Sequence, residues 1–158
     1  MLHCYIMQGL PGSGKSTYIK ENLKNCKVIS RDIIRHELGL TTSVDDKKVC
    51  SWREEALISV KENNEIYDAL KNCQDFVIDD INIRRKYFYQ LVRSIRDLSK
   101  YLDCPVKITV IRLNIPIETC IERRKNQIDE TEMNRLNRLT RWFEEDRIKY
   151  SVDELINI

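Results

Sequence analysis

A lysine, two serines and three glycines lie close together near the start of this 158-residue chain, in the order Gly-Leu-Pro-Gly-Ser-Gly-Lys-Ser over residues 9–16. This spacing matches the phosphate-binding loop G-x-x-x-x-G-K-[ST]. An apolar run precedes the loop and a helical segment follows it, which is the strand–loop–helix context that the motif requires. Glycines let backbone N–H groups wrap around a phosphate, and the following helix N-terminus adds positive potential. We predict that the loop binds a nucleoside triphosphate.

Two side chains of this loop have distinct predicted roles. Lys15 is spaced to reach the β- and γ-phosphates, and the Ser16 hydroxyl is spaced to ligate Mg²⁺. We therefore expect ATP as the phosphate donor and Mg²⁺ as the cofactor. The other residues predicted to hold the nucleotide are Gly9, Gly12, Ser13, Gly14 and Thr17.

Apolar, strand-like runs alternate with helical patterns along the chain, which indicates an α/β domain with a mainly parallel sheet. Ligands of such sheets bind at the carboxyl ends of the strands, and polar clusters follow the predicted strands of this chain. The predicted strands are residues 2–7, 27–30, 75–79 and 106–112.

Apolar residues at helical spacing predict the elements between the strands. The predicted helices are 17–25, 33–38, 44–70 with a break at Asn63-Asn64, 83–102, 117–124, and a last helix carrying Met133, Leu136, Leu139 and Phe143. The predicted helices 44–70 and 83–102 each have a stripe of apolar residues that we predict to face the core. The first stripe contains Val49, Trp52, Ala56, Val60, Tyr67 and Leu70, and the second contains Tyr87, Leu91, Ile95, Leu98 and Leu102.

Asp32 follows the second predicted strand and opens a helical stretch. One interpretation makes it an N-cap that accepts backbone N–H groups. The other makes it a general base that accepts the proton of a hydroxyl attacking the γ-phosphate. Arg35 lies on the same helical face, three residues on, and guanidinium binds phosphate bidentately. The pair therefore suits an acceptor that has both a hydroxyl and a phosphate.

Two adjacent acids, Asp79 and Asp80, end the third predicted strand. An apolar strand that ends in an acid is typical of the Walker B element, where one acid organises the Mg²⁺ shell. Neighbouring residues of a strand point to opposite faces, so the two acids must have different roles. We assign Asp79 to the metal. The alternative for either acid is a solvated loop carboxylate.

The loop at 9–16, the R-D-x-x-R segment at 31–35 and D-x-N at 80–82 occur in an order that resembles the kinase domain of phage-type polynucleotide 5′-kinases. The resemblance runs over nearly the whole chain and includes Ile115-Pro116 and the helix after it. It implies a four-stranded parallel sheet of adenylate-kinase type, flanked by helices, with a helical lid at about 122–131. The two segments beyond the loop are the more selective part, because the loop alone is generic.

The same resemblance implies a role for each matching residue. Asp32 is the general base toward a 5′-hydroxyl, Arg35 holds a phosphate of the acceptor strand, and Asp80 orients that arginine. Family lid arginines are often spaced four apart, but Gln127 stands here where the second would fall. Arg123 or Arg124 is expected to close over the triphosphate, with a solvated helix face as the alternative.

The acceptor is the 5′-OH end of DNA or RNA on this interpretation, and the sequence contains candidate residues for binding it. Arg84 and Arg85 begin a helix, where cations are unfavourable, so an external phosphate is a plausible partner. Trp52 is either a stacking platform or a core residue, and its stripe favours the core. Further candidate cations are Lys47, Lys48, Arg53 and Lys86.

The main alternative to a polynucleotide 5′-kinase is a kinase of a small-molecule hydroxyl, and a minor alternative is a non-catalytic nucleotide-dependent module.

Length and composition predict a single domain over 1–158, with no repeat or linker. A net charge of +2 does not by itself indicate nucleic acid, and no apolar run is long enough for a membrane span. The six cysteines have no metal-site spacing, so we expect reduced thiols and a cytoplasmic location. Phosphatase and ligase signatures are absent, so those activities, if needed, belong to separate chains. A compact kinase of this kind would suit a virus or phage.

Overall fold

The computed structural model of the protein describes residues 1–41, 50–144 and 151–158. Strands and helices alternate along the chain, as the sequence predicts. The strands are β1 (Leu2–Gln8), β2 (Lys27–Ile29), β3 (Phe76–Ile78), β4 (Val106–Arg112) and β5 (Glu154–Asn157). The helices are α1 (Lys15–Asn22), α2 (Arg31–Glu37), α3 (Trp52–Lys71), α4 (Arg85–Tyr101), α5 (Ile117–Arg124) and α6 (Glu130–Arg138), followed by a 3₁₀ turn (Arg141–Glu144).

The sheet has the order β2-β3-β1-β4-β5, and its described strand pairs are all parallel. This confirms the predicted α/β class. The order places β1 between β3 and β4, so the phosphate-binding loop leaves the middle of the sheet. The carboxyl ends of β2 and β3 lie to one side of it, and the segments that contain Asp32 and Asp79 start there.

The predicted number of four strands is wrong, because β5 adds a fifth strand beside β4. Asp153 fixes its start by accepting hydrogen bonds from the Ile108 backbone N–H at 2.7 Å and from Arg96 at 2.9 Å. The segment Glu-Leu-Ile-Asn is short and only half-buried at the sheet edge. It therefore lacks the continuous apolar run that identified the central strands.

Helix α3 is continuous through Asn63-Asn64, so the predicted break is wrong. Ser51 and Glu54 form a capping box at its start. Its predicted part before Trp52, including Val44 and Val49, falls largely on residues 42–49, outside the described residues. The core face of α3 comprises Ile58, Ile66, Ala69 and Leu70.

Trp52 and Val60 lie away from that face, and Trp52 is 76% exposed. The prediction that they face the core is therefore wrong. The apolar residues of this helix fit two faces at helical spacing, and only the packing against the sheet selects between them.

Helix α4 and the last predicted helix also differ from the prediction, the first in its buried residues and the second in where it ends. In α4 the buried residues are Phe88, Val92 and Ile95, whereas the predicted stripe residue Tyr87 is 60% exposed. The stripe residues Leu91, Leu98 and Leu102 pack partly buried against the core.

The predicted last helix is two elements, because α6 ends at Arg138 and Phe143 lies in the 3₁₀ turn. The indole N–H of Trp142 donates to the Ile83 carbonyl at 2.7 Å and so ties this turn to the β3–α4 loop.

All six cysteines lie in the described ranges and are free thiols. In the part of the chain that the structure describes, no helix is both long and apolar enough to cross a membrane.

Candidate active site

The loop between β1 and α1 depends on glycine at two positions. Gly12 has φ +83°, and a Cβ there would lie 3.0 Å from the Arg124 Cγ and 3.1 Å from the Cys120 carbonyl oxygen. Gly14 has φ +94° and is the N-cap of α1. Both conformations are left-handed, which L side chains rarely adopt. The loop can therefore turn tightly beneath α5 and present its backbone to a ligand.

Lys15 begins α1, and its ammonium group folds back over the loop. It donates hydrogen bonds to the carbonyl oxygens of Gly9 at 3.1 Å and Leu10 at 2.9 Å. Burial lowers the pKa of Lys15 to about 8. Both hydrogen bonds of the Lys15 ammonium go to neutral carbonyl groups. An anionic phosphate oxygen would therefore be a stronger partner for its positive charge.

Ser16 and Asp79 come together although 63 positions separate them. The Ser16 hydroxyl donates to Oδ2 of Asp79 at 2.9 Å, and burial raises the pKa of Asp79. A hydroxyl and a carboxylate are oxygen ligands of the kind that Mg²⁺ prefers. In the described ranges no group of three or more His, Cys, Asp or Glu side chains could hold a metal. The pair therefore fits a cation that takes its other ligands from phosphates and water.

Asp32 is the second residue of α2 and does not cap it. Ser30 is the N-cap, with its side chain accepting from the Ile33 backbone N–H, so the capping interpretation of Asp32 is wrong. The Asp32 carboxylate is 59% exposed and accepts a 2.6 Å hydrogen bond from Nη1 of Arg35. Its negative charge helps to raise the pKa of both Asp79 and Asp80, so Asp32 lies within electrostatic range of the Ser16–Asp79 pair.

Asp80 does not contact Arg35, contrary to what the resemblance implied. It is half-buried, and its Oδ1 accepts a hydrogen bond from the Arg31 backbone N–H at 3.0 Å. Burial raises the pKa of Asp80 to about 8, with the neighbouring Glu62 carboxylate adding to the effect. Asp80 therefore holds the start of α2, and the two acids have different partners, as their places in the strand predict.

Glu55 and Arg31 form part of the site that the sequence analysis missed. The Glu55 carboxylate accepts hydrogen bonds from Arg31 at 2.7 Å and from Arg35 at 3.1 Å. In the sequence, Glu54-Glu55 at a helix start indicates only a favourable interaction with the helix dipole. No local signal connects Glu55 with an arginine 20 positions earlier.

A second group of polar residues lies behind the phosphate-binding loop, and the sequence analysis singled out only its Asn82, in the D-x-N segment. Gln8 donates to the Asn82 carbonyl at 3.3 Å and accepts from Nε of Arg112 at 3.1 Å. Asn82 has φ +50°, and its amide donates to the Met7 carbonyl at 2.7 Å. These contacts fix the end of β1 to the segment after β3. The relative positions of the loop and Asp79 are thereby set by buried hydrogen bonds.

The predicted lid residues lie above the loop. Nη1 of Arg123 donates to the Gly12 carbonyl at 2.9 Å, and the charge of Arg124 acts on Lys15. Arg124 also donates to the Gln127 side chain at 2.5 Å. Residues 122–131 contain the end of α5, the turn and the start of α6. Both arginines are therefore in reach of the nucleotide-binding loop.

Arg84 and Arg85 lie at the start of α4, whose first turn has no acidic residue. Arg84 is exposed and Arg85 is half-buried. Among the further candidates, Trp52 is exposed, and the Arg53 guanidinium lies 5.3 Å from the centre of its ring. Lys47 and Lys48 lie outside the described residues.

A glycine loop with a half-buried lysine, at the carboxyl edge of a parallel sheet and next to a serine–aspartate pair, is the arrangement of a P-loop kinase. Residues 5–145 match a family model described as an AAA domain (AAA_33), and the chain belongs to this family. The resemblance to P-loop kinases is confirmed.

Individual relatives agree with this class. The chain is 28% identical to the cytidylate kinase of Sulfolobus acidocaldarius over 96% of its own length and 82% of the relative. It superposes on a chain of the Pnkp1/Rnl/Hen1 RNA repair complex with a TM-score of 0.69 at 20% identity, over 91% of this chain. The superposed part corresponds to 45%, less than half, of that longer chain. Chaetomium thermophilum Kti12 in complex with ADP-AlF3 matches with a TM-score of 0.58 at 18% identity, over 98% of this chain and 88% of Kti12.

Proposed function

We propose that this protein transfers the γ-phosphoryl group of ATP to the 5′-hydroxyl end of DNA or RNA, in nucleic acid end repair or processing. The observation that carries the proposal is the pair Asp32–Arg35. An exposed carboxylate and a guanidinium lie 2.6 Å apart after β2, at the same edge of the sheet as the Ser16–Asp79 pair. This is one proton acceptor and one phosphate-binding group in the same place, which is what a nucleotide acceptor with a free hydroxyl requires.

Each residue then has a defined task. Asp32 takes the proton of the acceptor hydroxyl. At the same time the hydroxyl oxygen forms a bond to the γ-phosphorus, and the bond between that phosphorus and the β–γ bridging oxygen breaks. Lys15 stabilises the charge that develops on the leaving phosphate, and Arg123 or Arg124 adds positive charge from the lid. Bound Mg²⁺, held through Ser16 and Asp79, would neutralise phosphate charge.

The acceptor strand would continue past Arg35 toward the start of α3. Trp52 lies about one helical turn before Glu55, which contacts Arg35, so its exposed ring is close to the proposed phosphate site. Aromatic rings stack on nucleobases without sequence preference, and Arg53 adds a cation. Arg84 and Arg85 are proposed as further phosphate contacts. The likeness to a chain of an RNA repair complex supports a nucleic acid substrate.

The second candidate is a small-molecule kinase, which the 28% identity with a cytidylate kinase favours. A nucleotide kinase with a phosphate acceptor differs from a 5′-hydroxyl kinase in what the acceptor needs, whereas a kinase of a small-molecule hydroxyl differs from it only in the acceptor itself. A phosphate acceptor already has an anionic oxygen at neutral pH, whereas a hydroxyl must lose a proton as it attacks. A requirement for Asp32 therefore favours a hydroxyl acceptor.

The test is transfer of labelled γ-phosphate from ATP to four acceptors. These are a 5′-hydroxyl oligonucleotide, a nucleoside 3′-monophosphate, an unphosphorylated nucleoside and cytidine 5′-monophosphate. We expect label on the first two only. Label on cytidine 5′-monophosphate alone, or on the plain nucleoside alone, would refute the proposal in favour of a small-molecule kinase. Label on the plain nucleoside as well as on the first two acceptors would remove the role of Arg35.

Free thiols fit a reducing, intracellular place of action, and we propose a cytoplasmic location on that ground.

A further inference from the structure

The Glu55 carboxylate joins two arginines of α2. Oε2 accepts a hydrogen bond from Nη2 of Arg31 at 2.7 Å, and Oε1 accepts from Nε and Nη2 of Arg35 at 3.3 Å and 3.1 Å. The Arg31 and Arg35 side chains are only 24% and 20% exposed. Resting on the function proposed above, we propose that Glu55 is the positioning residue of the acceptor site and sets the direction in which Arg35 presents its guanidinium.

The donor pattern of Arg35 supports this role. Its guanidinium has five N–H groups in a fixed plane. Nε and Nη2 engage Glu55 along one edge, and Nη1 engages Asp32 at 2.6 Å. A planar group held at two edges cannot turn about its stem. One N–H group on Nη1 and one on Nη2 remain for an acceptor phosphate, on the same guanidinium that Asp32 contacts.

The environment keeps Glu55 ionised. Burial works to raise its pKa, but the hydrogen bond from Arg31 and the charge of Arg35 outweigh burial and hold the pKa of Glu55 below its usual value. Arg31 also reaches Glu62 at 3.4 Å, so its charge is shared between two carboxylates. The Glu55–Arg35 contact therefore persists at neutral pH.

Glu55 itself is held by the start of α3. The capping box of Ser51 and Glu54 fixes the first turn of the helix, and Glu55 is the next residue. Asp80 makes no hydrogen bond or ion pair with Arg35; its Oδ1 accepts from the Arg31 backbone N–H instead. The orienting role that the resemblance gave to Asp80, a residue after β3, thus falls to a residue of α3.

The test compares Glu55→Gln with Glu62→Gln by steady-state kinetics on a 5′-hydroxyl oligonucleotide and on a nucleoside 3′-monophosphate. Glu62 is the matched control, since it contacts Arg31 but makes no hydrogen bond to Arg35. We expect Glu55→Gln to raise the KM of both acceptors about tenfold or more, because it loses a charged hydrogen-bond pair. The KM for ATP should stay within twofold, and Glu62→Gln should change neither.

A second measurement separates positioning from a general loss of structure. In an Arg35→Ala background, Glu55→Gln should have no further effect on the KM of the acceptor, because the group that it positions is gone. If Glu55→Gln does not fold, Glu55→Asp keeps the charge but withdraws the carboxylate by one methylene, and the same rise in acceptor KM is expected.

Three results would overturn the assignment: an unchanged acceptor KM, an equal rise in the KM for ATP, or the same rise in Glu62→Gln. Failure of the unaltered protein to label any of these acceptors is a different outcome. It would refute the 5′-kinase itself.

Discussion

Replacing Asp32 by Asn tests the general base most directly. Asn keeps the size and one hydrogen-bond acceptor for Arg35 but cannot take a proton at neutral pH. A positioned base contributes about 10²–10⁴ in rate, which corresponds to about 2.7–5.4 kcal/mol of activation free energy. We expect a loss of kcat in that range.

The structure also predicts what Asp32→Asn should leave unchanged. The carboxylate is 59% exposed and its ion pair with Arg35 spans three positions of a helix, so its contribution to stability is about 0.5 kcal/mol or less. Arg35 keeps its two N–H contacts with Glu55, so the acceptor KM should change little. Lys15 and Ser16 make no hydrogen bond to Asp32, so ATP affinity should stay within about twofold.

The assay is transfer of labelled γ-phosphate to a 5′-hydroxyl oligonucleotide, with ATP binding measured by calorimetry and unfolding by circular dichroism. Glu37→Gln is the matched control, because it removes another exposed ion pair of α2, with Lys61 at 2.7 Å. Turnover by Asp32→Asn within tenfold of the unaltered protein would refute the general-base reasoning. An equal loss in Glu37→Gln would show that helix stability, not proton transfer, explains the effect.

Three further variants test other parts of the site. Trp52→Ala should raise the KM of an oligonucleotide about tenfold through lost base stacking, leave that of a nucleoside 3′-monophosphate unchanged, and not alter unfolding. Gly12→Ala should lower the free energy of unfolding by about 1–2 kcal/mol and weaken ATP binding, because φ is +83° and Arg124 and Cys120 leave no room for a Cβ. Asp80 has a folded pKa raised to about 8, so the stability it contributes is fully present below its unfolded pKa near 4 and is lost as the pH rises through 8. Asp80→Asn, which keeps an acceptor for the Arg31 N–H, should therefore reduce the fall in urea stability between pH 4 and pH 8.

Each of these variants has an outcome that contradicts its reasoning. If Trp52→Ala changed the KM values of the oligonucleotide and the nucleoside 3′-monophosphate equally, the ring would not contact the part of the acceptor strand that follows its first phosphate. Unaltered ATP affinity in Gly12→Ala would mean that the loop tolerates a side chain. An identical pH dependence in Asp80→Asn would assign the stability change to other groups, with Glu62 the first to examine.

Much of the site is contiguous in the chain, and that part could be predicted from the sequence. The loop at 9–16 has its glycines, lysine and serine in one turn, so local spacing alone specifies how they meet a phosphate. The central strands are largely buried and appear as continuous apolar runs, which made β1, β3 and β4 predictable. The pairing of Ser16 with Asp79 followed from the rule that polar residues after parallel strands meet at one edge.

Other features depend on which surfaces pack together, and spacing does not contain that information. The apolar residues of α3 fit two helical faces, and only contact with the sheet buries Ile58 and leaves Trp52 in solvent. Strand β5 exists because Asp153 and the free edge of β4 give a short, half-polar segment its partners. Glu55 reaches Arg35 only because α2 and α3 pack side by side. Sequence thus determined the nucleotide loop and its catalytic residue types, and tertiary packing decided which carboxylate holds which arginine.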